Sequence, residues 1–404
     1  MSSPRDFTGS GRPGVAAIGG AFLKLGFSSF GGPIAHLGYF RSDLVEKRRW
    51  LEDAAYADLV ALCQFLPGPT SSQVAFAVGM RMAGLAGALA SSIGFMLPSA
   101  VAMILFGAFV GSLGDIRQAG WLHGLMLAAV AVVARAVWGM GTTLCPDWPR
   151  RILAGAVAAF VLVLPGSASQ IGAIAACALI GLWALGGRPG PAEAREPLAR
   201  GVHLQAAAAF SVFIGLLVLL PAFSRFSGDR SVEMFDCFYR AGSLVFGGGH
   251  VVLPLLGSQV VPRGWVSEDA FLAGYGAAQA IPGPLFTFAG YLGTVIESGH
   301  HAWIGGVLAL TAIFLPGFLL VAAVYPFWHQ LKGRGGMQGA LRGANAAVVG
   351  ILLGALYRPV CTDGIRDVSD IAAAATAIVL LTILRVPPWA VVAVMAAAGQ
   401  WILQ

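Results

Sequence analysis

Apolar stretches long enough to cross a lipid bilayer recur from residue 14 to the end of the sequence. Of the 404 residues, 57% are apolar and 11% are charged, whereas soluble domains carry roughly 25% charged residues. An integral membrane protein tolerates so little charge because lipid replaces water around its outer face. The sequence therefore predicts an all-α, polytopic membrane protein and excludes a soluble one.

The sparse charge also narrows the functional class. The net charge of +6 comes from basic residues in short loops between apolar stretches, a pattern typical of membrane topology and not of nucleic-acid binding. The sequence has no G-x-x-x-x-G-K-[ST] motif, so we expect any transport to use a gradient and not a P-loop ATPase. The five cysteines lack metal-ligand spacing, and no cofactor or metal is expected.

The chain repeats itself at a separation of about 215 residues. Three motif pairs keep their order: Phe30-Gly31-Gly32-Pro33 with Phe246-Gly247-Gly248-Gly249, Gln64-x-x-Pro67-Gly68-Pro69 with Gln279-x-x-Pro282-Gly283-Pro284, and Leu97-Pro98 with Leu315-Pro316. Such self-similarity predicts two homologous halves, at 14–187 and 233–404. Between them, residues 188–232 form a linker with one extra apolar helix at about 203–222, and residues 1–13 are expected to be a cytoplasmic tail.

Each half opens with two apolar segments that glycine and proline interrupt. In the first half, residues 14–40 are interrupted at Gly31-Gly32-Pro33, and residues 54–81 at Pro67-Gly68-Pro69. A helix needs about 20 residues to cross the hydrocarbon core, but each arm has only about 12 to 16. We therefore predict that each interrupted segment is a re-entrant helical hairpin, followed by about four transmembrane helices per half.

The positions of the basic residues support the hairpins. If both interrupted segments of the first half return to their starting side, twelve basic residues lie on one side of the membrane and only Arg117 on the other. Single crossings would give eight and five. The extra helix adds one crossing between the halves, which predicts an inverted-topology repeat. The basic residues of the second half neither support nor oppose this inversion.

The interrupted helices predict a site for an anion. A helix that begins after Gly-Gly-Pro or Pro-Gly-Pro directs free N–H groups and its positive dipole end into the protein interior. Lys24 and Arg240 each lie six residues before their Phe-Gly-Gly motif and would add positive charge. The alternatives are that the breaks only kink packed helices and that both cations extend to the membrane surface.

Hydroxyl and amide side chains surround these breaks. The candidate oxyanion-binding residues are Lys24, Ser28, Ser29, Gly31, Gly32, Gln64, Gly68, Pro69, Thr70, Arg240, Gly247, Gly248, His250, Gln279, Gly283 and Thr287. His250 is either a proton-sensitive group or a structural histidine near a loop tip. Arg135 has no basic counterpart in the repeat, and the sequence leaves open whether it faces a cavity or pairs with a helix carbonyl.

In these motifs the chain resembles the chromate ion transporter family in its long, two-domain form. The resemblance covers about residues 15–400 and rests on Phe30-Gly31-Gly32-Pro33-Ile34-Ala35-His36, Gln64-Phe65-Leu66-Pro67-Gly68-Pro69-Thr70, Phe246-Gly247-Gly248-Gly249-His250 and Gln279-Ala280-Ile281-Pro282-Gly283-Pro284. It implies a secondary transporter that exports chromate across the bacterial inner (plasma) membrane and confers chromate resistance. It also implies competition by sulfate, a tetrahedral dianion of similar shape.

We therefore expect a carrier and not an enzyme, embedded in lipid, with chromate as substrate and no nucleic-acid partner. A carrier for sulfate or another oxyanion and a passive anion channel are alternatives with the same architecture. If Lys24 and Arg240 bind the substrate, replacing each by glutamine abolishes efflux. Gly339-x-x-x-Gly343 and Gly350-x-x-x-Gly354 allow close helix packing, either within one subunit or between the subunits of a homodimer.

Overall fold

A computed structural model describes residues 13–112, 120–186, 200–246, 250, 252–297, 299, 302–328 and 335–401. Within these ranges the protein is helical, without a β-strand. The first half contains α1 (Val15–Ser28), α2 (Gly32–Phe40), α3 (Asp53–Phe65), α4 (Thr70–Ser112), α5 (Gly120–Leu144), α6 (Trp148–Val163) and α7 (Ser167–Ala184). After α8 (Arg200–Ser227), the second half contains α9 (Arg230–Leu244), α10 (Val252–Val260), α11 (Glu268–Ala278), α12 (Phe288–Glu297), α13 (Ala302–Val324), α14 (Gly335–Ala355), α15 (Val368–Thr382) and α16 (Pro388–Trp401).

Among the described residues, five stretches of helix are long and apolar enough to cross a membrane. They are Thr70–Ser112, Gly120–Leu144, His203–Ser227, Ala302–Phe327 and Gly336–Gly364. On α4, one face exposes large apolar side chains at intervals of four residues, namely Leu85, Leu89, Ile93, Leu97 and Val101. A continuous apolar face of this kind suits contact with lipid. The fold is therefore that of an all-α, multi-pass membrane protein, as the sequence predicts.

Contacts across the breaks show that the interrupted segments are hairpins. Phe22 of α1 and Phe40 of α2 lie on opposite sides of the first break, yet their ring centroids are 5.4 Å apart. In the second half, the Tyr291 hydroxyl of α12 donates to the Ala270 carbonyl of α11 at 2.9 Å across the Pro-Gly-Pro break. Because the paired residues are far apart in sequence, the second arm must fold back along the first. The predicted hairpins are confirmed at these breaks.

The second hairpin of the first half continues directly into a long span. Within α4, Ala83 and Gly84 leave helical geometry, and Gly84 has a φ of +62°, which glycine adopts without steric cost. Residues 70–82 are thus the second arm of the hairpin, and residues 85–112 form the following span. The equivalents in the second half are two separate helices, α12 and α13.

The two halves bind each other through their helix breaks. The Gly68 N–H donates to the Val245 carbonyl at 2.6 Å, and the Gly283 N–H donates to the Ser29 carbonyl at 2.8 Å. Gly68 and Gly283 are equivalent in the repeat, and Ser29 and Val245 each precede the phenylalanine of a Phe-Gly-Gly motif. Each Pro-Gly-Pro loop therefore holds the break of the opposite half, which gives the halves a pseudo-twofold relation.

Helices of the first half also pack closely against helices of the second half. Gly124 of α5 lies against the main chain of Met395 in α16, and Gly343 of α14 lies against the main chain of Cys177 in α7. Gly350 of α14 packs in the same way against α6. Both small-residue spacings of α14 therefore serve packing within one subunit, and they no longer indicate a homodimer.

The helix between the halves lies at the periphery. α8 covers the apolar segment predicted at 203–222, and the Tyr239 hydroxyl of α9 donates to its Phe213 carbonyl at 3.0 Å. Most of its side chains are exposed, as expected for a helix that faces lipid. It has no counterpart within either half, and the inversion that it implies stays a prediction.

Candidate anion-binding site

A cavity of about 210 Å³ lies where helix breaks from both halves meet. The start of α2, the middle of α5, the end of α11 and the Pro-Gly-Pro loop after it form most of its wall. The lining residues of this central cavity are Gly31, Gly32, Pro33, Val132, Arg135, Ala136, His250, Ala278, Gln279, Ile281, Gly283, Leu285, Leu381 and Pro388. Since most of the wall is apolar, a few polar groups determine which ligand the cavity accepts.

Arg135 supplies the positive charge of the central cavity. It lies well inside α5, about 22 Å from the first residue by helical rise, and its side chain is exposed to the cavity. No described carboxylate lies within salt-bridge distance of its guanidinium. An unneutralised arginine in a membrane-spanning helix is costly and is typically functional. A planar group with five N–H donors is well suited to bind an oxyanion.

The N-terminus of α2 adds main-chain donors to the same wall. Gly31 has a φ of +95°, and no side chain caps the helix that starts at Gly32. Pro33 has no N–H but suits the first turn of a helix. The remaining N–H groups of this turn have no helical acceptor, and the helix dipole makes this end positive. Together with Arg135, this helix end favours an anionic ligand.

The second half contributes an amide to the central cavity. Gln279 follows α11, and its side-chain Nε2 is buried without a hydrogen-bond partner. A buried amide without a partner costs about 1 to 3 kcal/mol, which favours a side-chain rotation that lets it donate to a ligand. Gly283 also lines the cavity, but its N–H is already bound to the Ser29 carbonyl. Gly283 therefore shapes the wall and does not serve as a donor.

Comparison with known proteins identifies the family. The chromate transporter family matches residues 16–182 and 232–400, which are the two homologous halves. The chain belongs to the chromate transporter family. This membership confirms the resemblance seen in the sequence motifs. It also confirms that the protein belongs to a family of transporters and not of enzymes.

Curated relatives cover most of the chain. A chromate transport protein of Pseudomonas aeruginosa is 27% identical over 82% of this chain and 77% of its own length. A chromate transport protein of Cupriavidus metallidurans is 27% identical over 90% of this chain and 86% of its own length. A probable chromate transport protein of Synechococcus elongatus is 27% identical over 83% of this chain and 82% of its own length. No solved structure matches the chain.

In this member of the chromate transporter family, five of the predicted site residues meet at the central cavity. They are Gly31, Gly32, His250, Gln279 and Gly283. The cavity lining does not include Lys24, Ser28, Ser29, Gln64, Gly68, Pro69, Thr70, Arg240 or Thr287. Gly247 and Gly248 lie outside the described residues.

The two cations expected to hold the substrate lie elsewhere. Lys24 is exposed on the face of α1 opposite its buried residues Phe22 and Leu25. Arg240 pairs with the buried Asp236 one turn before it in α9, at 2.5 Å. The carboxylate neutralises Arg240, and the exposed position of Lys24 suits extension to the membrane surface. The positive charge at the cavity comes from Arg135 instead.

In the Pro-Gly-Pro loop of the first half, neighbouring residues occupy the space in which a ligand would bind. The Gln73 side chain donates from Nε2 to the Pro67 carbonyl at 2.8 Å, and Gly317 of α13 packs against Gly68. In the second half, Phe288 occupies the place of Gln73, and the Thr287 hydroxyl donates to the Pro284 carbonyl at 2.8 Å. These side chains stabilise the two loops, and only the loop of the second half reaches the central cavity.

Proposed function

We propose that this chromate transporter family member exports chromate across the inner membrane of a bacterium and thereby confers chromate resistance. The observation that carries the proposal is Arg135, a guanidinium inside a membrane-spanning helix that faces a cavity between helix breaks. The relatives named as chromate transport proteins support the choice of ligand.

The central cavity has the size and donors for a tetrahedral oxyanion. A volume of about 210 Å³ exceeds the roughly 30 Å³ that one water molecule occupies in the liquid, so a five-atom anion fits together with a few waters. In the proposed complex, the Arg135 guanidinium binds two oxygens, and the N–H groups at the start of α2 and the Gln279 amide bind the others. Two negative charges on the ligand favour binding to a guanidinium beside a helix N-terminus.

We propose that the two halves provide alternating access to this site. Pairs of related halves with interrupted helices at the substrate site are a common basis for secondary transport. In this chain, the hydrogen bonds from Gly68 and Gly283 join the breaks of opposite halves, so a movement of one half shifts the wall that the other contributes. A gradient would then drive export, because no P-loop motif is present in the sequence.

The test is uptake of radiolabelled chromate into inside-out membrane vesicles. We expect accumulation that depends on the protein and increases when a proton gradient is imposed, with unlabelled sulfate as a weaker competitor. Equal flux with and without the gradient, ending at equal concentrations on both sides, would indicate a passive channel. Sulfate uptake without chromate uptake would indicate a carrier for a different oxyanion and contradict the proposal.

A further inference from the structure

A second cavity, of about 290 Å³, lies beside the central one. We call it the vestibule. It is lined by the end of α6, the start of α7, part of α10, the start of α11 and the end of α14. Its polar lining residues are Gln170, Ser258, Glu268 and Arg358, and none of these was singled out by the sequence.

The vestibule and the central cavity follow one another along two shared segments. On α11, Phe271 lines the vestibule and Gln279 lines the central cavity. Leading into α10, His250 lines the central cavity, and Leu253, only three residues later, lines the vestibule. The two cavities therefore share two segments of their walls, and along these segments the side chains between the lining residues separate them.

Tyr275 lies in sequence between Phe271, which lines the vestibule, and Gln279 of the central cavity, and it lines neither cavity itself. It lies four residues after Phe271 and four before Gln279, so all three share one face of α11. Its side chain is fully buried, and its hydroxyl is 2.7 Å from Nδ1 of His250. Phe288 packs edge-on against its ring with a centroid separation of 5.8 Å. This hydrogen bond joins α11 to the segment that leads into α10, where both segments pass from one cavity wall to the other.

The vestibule carries a positive charge from Arg358. This residue lies in the π-helical turn Leu356–Cys361 that extends α14, and its side chain is exposed to the cavity. Ser258 and Gln170 add a hydroxyl and an amide on the opposite wall, with their side-chain oxygens 3.4 Å apart. A guanidinium in a cleft with apolar walls raises the local concentration of anions.

We infer that the vestibule is an anion-binding antechamber on the transport path, in which Arg358 attracts the oxyanion and the His250–Tyr275 hydrogen bond closes the passage to the central cavity. The inference rests on the proposed function for the identity of the natural ligand. The geometry of the vestibule does not depend on which anion is transported, since any small anion that reaches Arg358 meets the same His250–Tyr275 hydrogen bond.

Thiol labelling tests the vestibule without chromate. In a Cys361→Ala background the other four cysteines are buried, and Ser258→Cys places a reporter thiol in the vestibule. We expect it to react with an anionic methanethiosulfonate from one side of the membrane. Arg358→Gln is expected to lower the ratio of anionic to cationic labelling rates about tenfold. Lys24→Gln is the matched control, because Lys24 is exposed on α1 and lines neither cavity, and it should leave the ratio unchanged.

A second reporter tests the barrier. Ala136→Cys places a thiol in the central cavity, and from the vestibule side it should stay unlabelled while Tyr275 is intact. Tyr275→Phe keeps the ring but removes the hydroxyl, and we expect labelling from that side to rise about tenfold. An Ala136→Cys thiol that reacts equally with and without the Tyr275 hydroxyl would overturn the barrier. A Ser258→Cys thiol that reacts no faster than the background would overturn the vestibule. Neither result depends on chromate flux, so the proposed function would be unaffected.

The vestibule also has a built-in response to pH. Glu268 lies in the first turn of α11, outside the membrane-spanning helices. Burial raises its pKa to about 7, together with the neighbouring Asp363 carboxylate, which accepts a hydrogen bond from the protonated form of Glu268. Arg358 and Asp269 are the other charged groups facing it, and Asp269 is paired with Arg366. Below pH 7 Glu268 is neutral and only the Asp363 carboxylate offsets Arg358, whereas above pH 7 the Glu268 carboxylate adds a second negative charge.

We therefore expect the ratio of anionic to cationic labelling at Ser258→Cys to fall as the pH rises through about 7. Taking the ratio cancels the titration of the reporter thiol itself. Glu268→Gln removes the titrating group and should make the ratio constant between pH 6 and pH 8. A ratio that is constant with Glu268 present, or a fall that persists in Glu268→Gln, would contradict this role.

Discussion

Replacing Arg135 by glutamine is expected to weaken chromate binding and flux about a hundredfold while the protein still inserts into the membrane. The variant loses the charge that faces the central cavity but keeps the length and polarity of the side chain. Removing one partner of a buried charge pair costs about 2 to 5 kcal/mol, and about 2.7 kcal/mol corresponds to a hundredfold change in affinity. The measurement is the chromate concentration for half-maximal uptake in inside-out vesicles, normalised to the amount of protein.

Lys24→Gln is the matched control for this prediction. It removes the same charge from an exposed position on α1 outside the central cavity, so uptake should stay near the wild-type value. Arg240→Gln is less suitable, because it leaves the buried Asp236 without its partner and destabilises the fold. If Lys24→Gln loses uptake while Arg135→Gln keeps it, the substrate is held at the α1 cation and not at Arg135.

The second large effect is expected from Gly124→Ala in α5. The added methyl group overlaps the main-chain carbonyl oxygen of Met395 in α16, and because helix backbone cannot yield as a side chain does, the two helices must separate. Overpacking of this kind costs about 1 to 3 kcal/mol. The same displacement moves Arg135, three turns further along α5. We expect a lower melting temperature in detergent and reduced uptake.

Gly139→Ala provides the comparison within the same helix. A methyl group at Gly139 meets no atom within 4 Å, and alanine favours helix over glycine by about 0.8 to 1 kcal/mol. The variant should therefore melt at the wild-type temperature or slightly above it. Equal melting temperatures for Gly124→Ala and the wild-type protein would show that the close contact of α5 with α16 does not support the fold.

The motif order in the sequence is enough to predict the two halves, the helix breaks and the hairpins. Glycine and proline at Gly31-Gly32-Pro33 and Pro67-Gly68-Pro69 prevent a continuous helix, and the short arms on either side require a return. Both effects depend only on residues that are close in the sequence, so they can be predicted from the sequence alone. The pairing of Gly68 with Val245 and of Gly283 with Ser29 is not local, and no pattern in the sequence indicates it.

The charges are harder to place from sequence, for two different reasons. α1 is apolar on nearly every side, so its periodicity does not show that Ile18, Phe22 and Leu25 are buried and that Lys24 points away from them. Arg240, in contrast, follows Asp236 at the i,i+4 spacing of a helical ion pair, a signal that the sequence does contain and that argues against a free cation. The role of Arg135 can be recognised only from the tertiary structure, because it depends on the contact between the helix break before α2 and the middle of α5.

The central claim is that the oxyanion binds in the cavity between Arg135, the start of α2 and Gln279. Crystals of the protein soaked in chromate and measured near the chromium absorption edge test it most directly. We expect one strong anomalous peak in the central cavity, within hydrogen-bond reach of the Arg135 guanidinium, and no such peak in crystals of Arg135→Gln. A peak beside Lys24 or Arg240, with the central cavity empty, would contradict it.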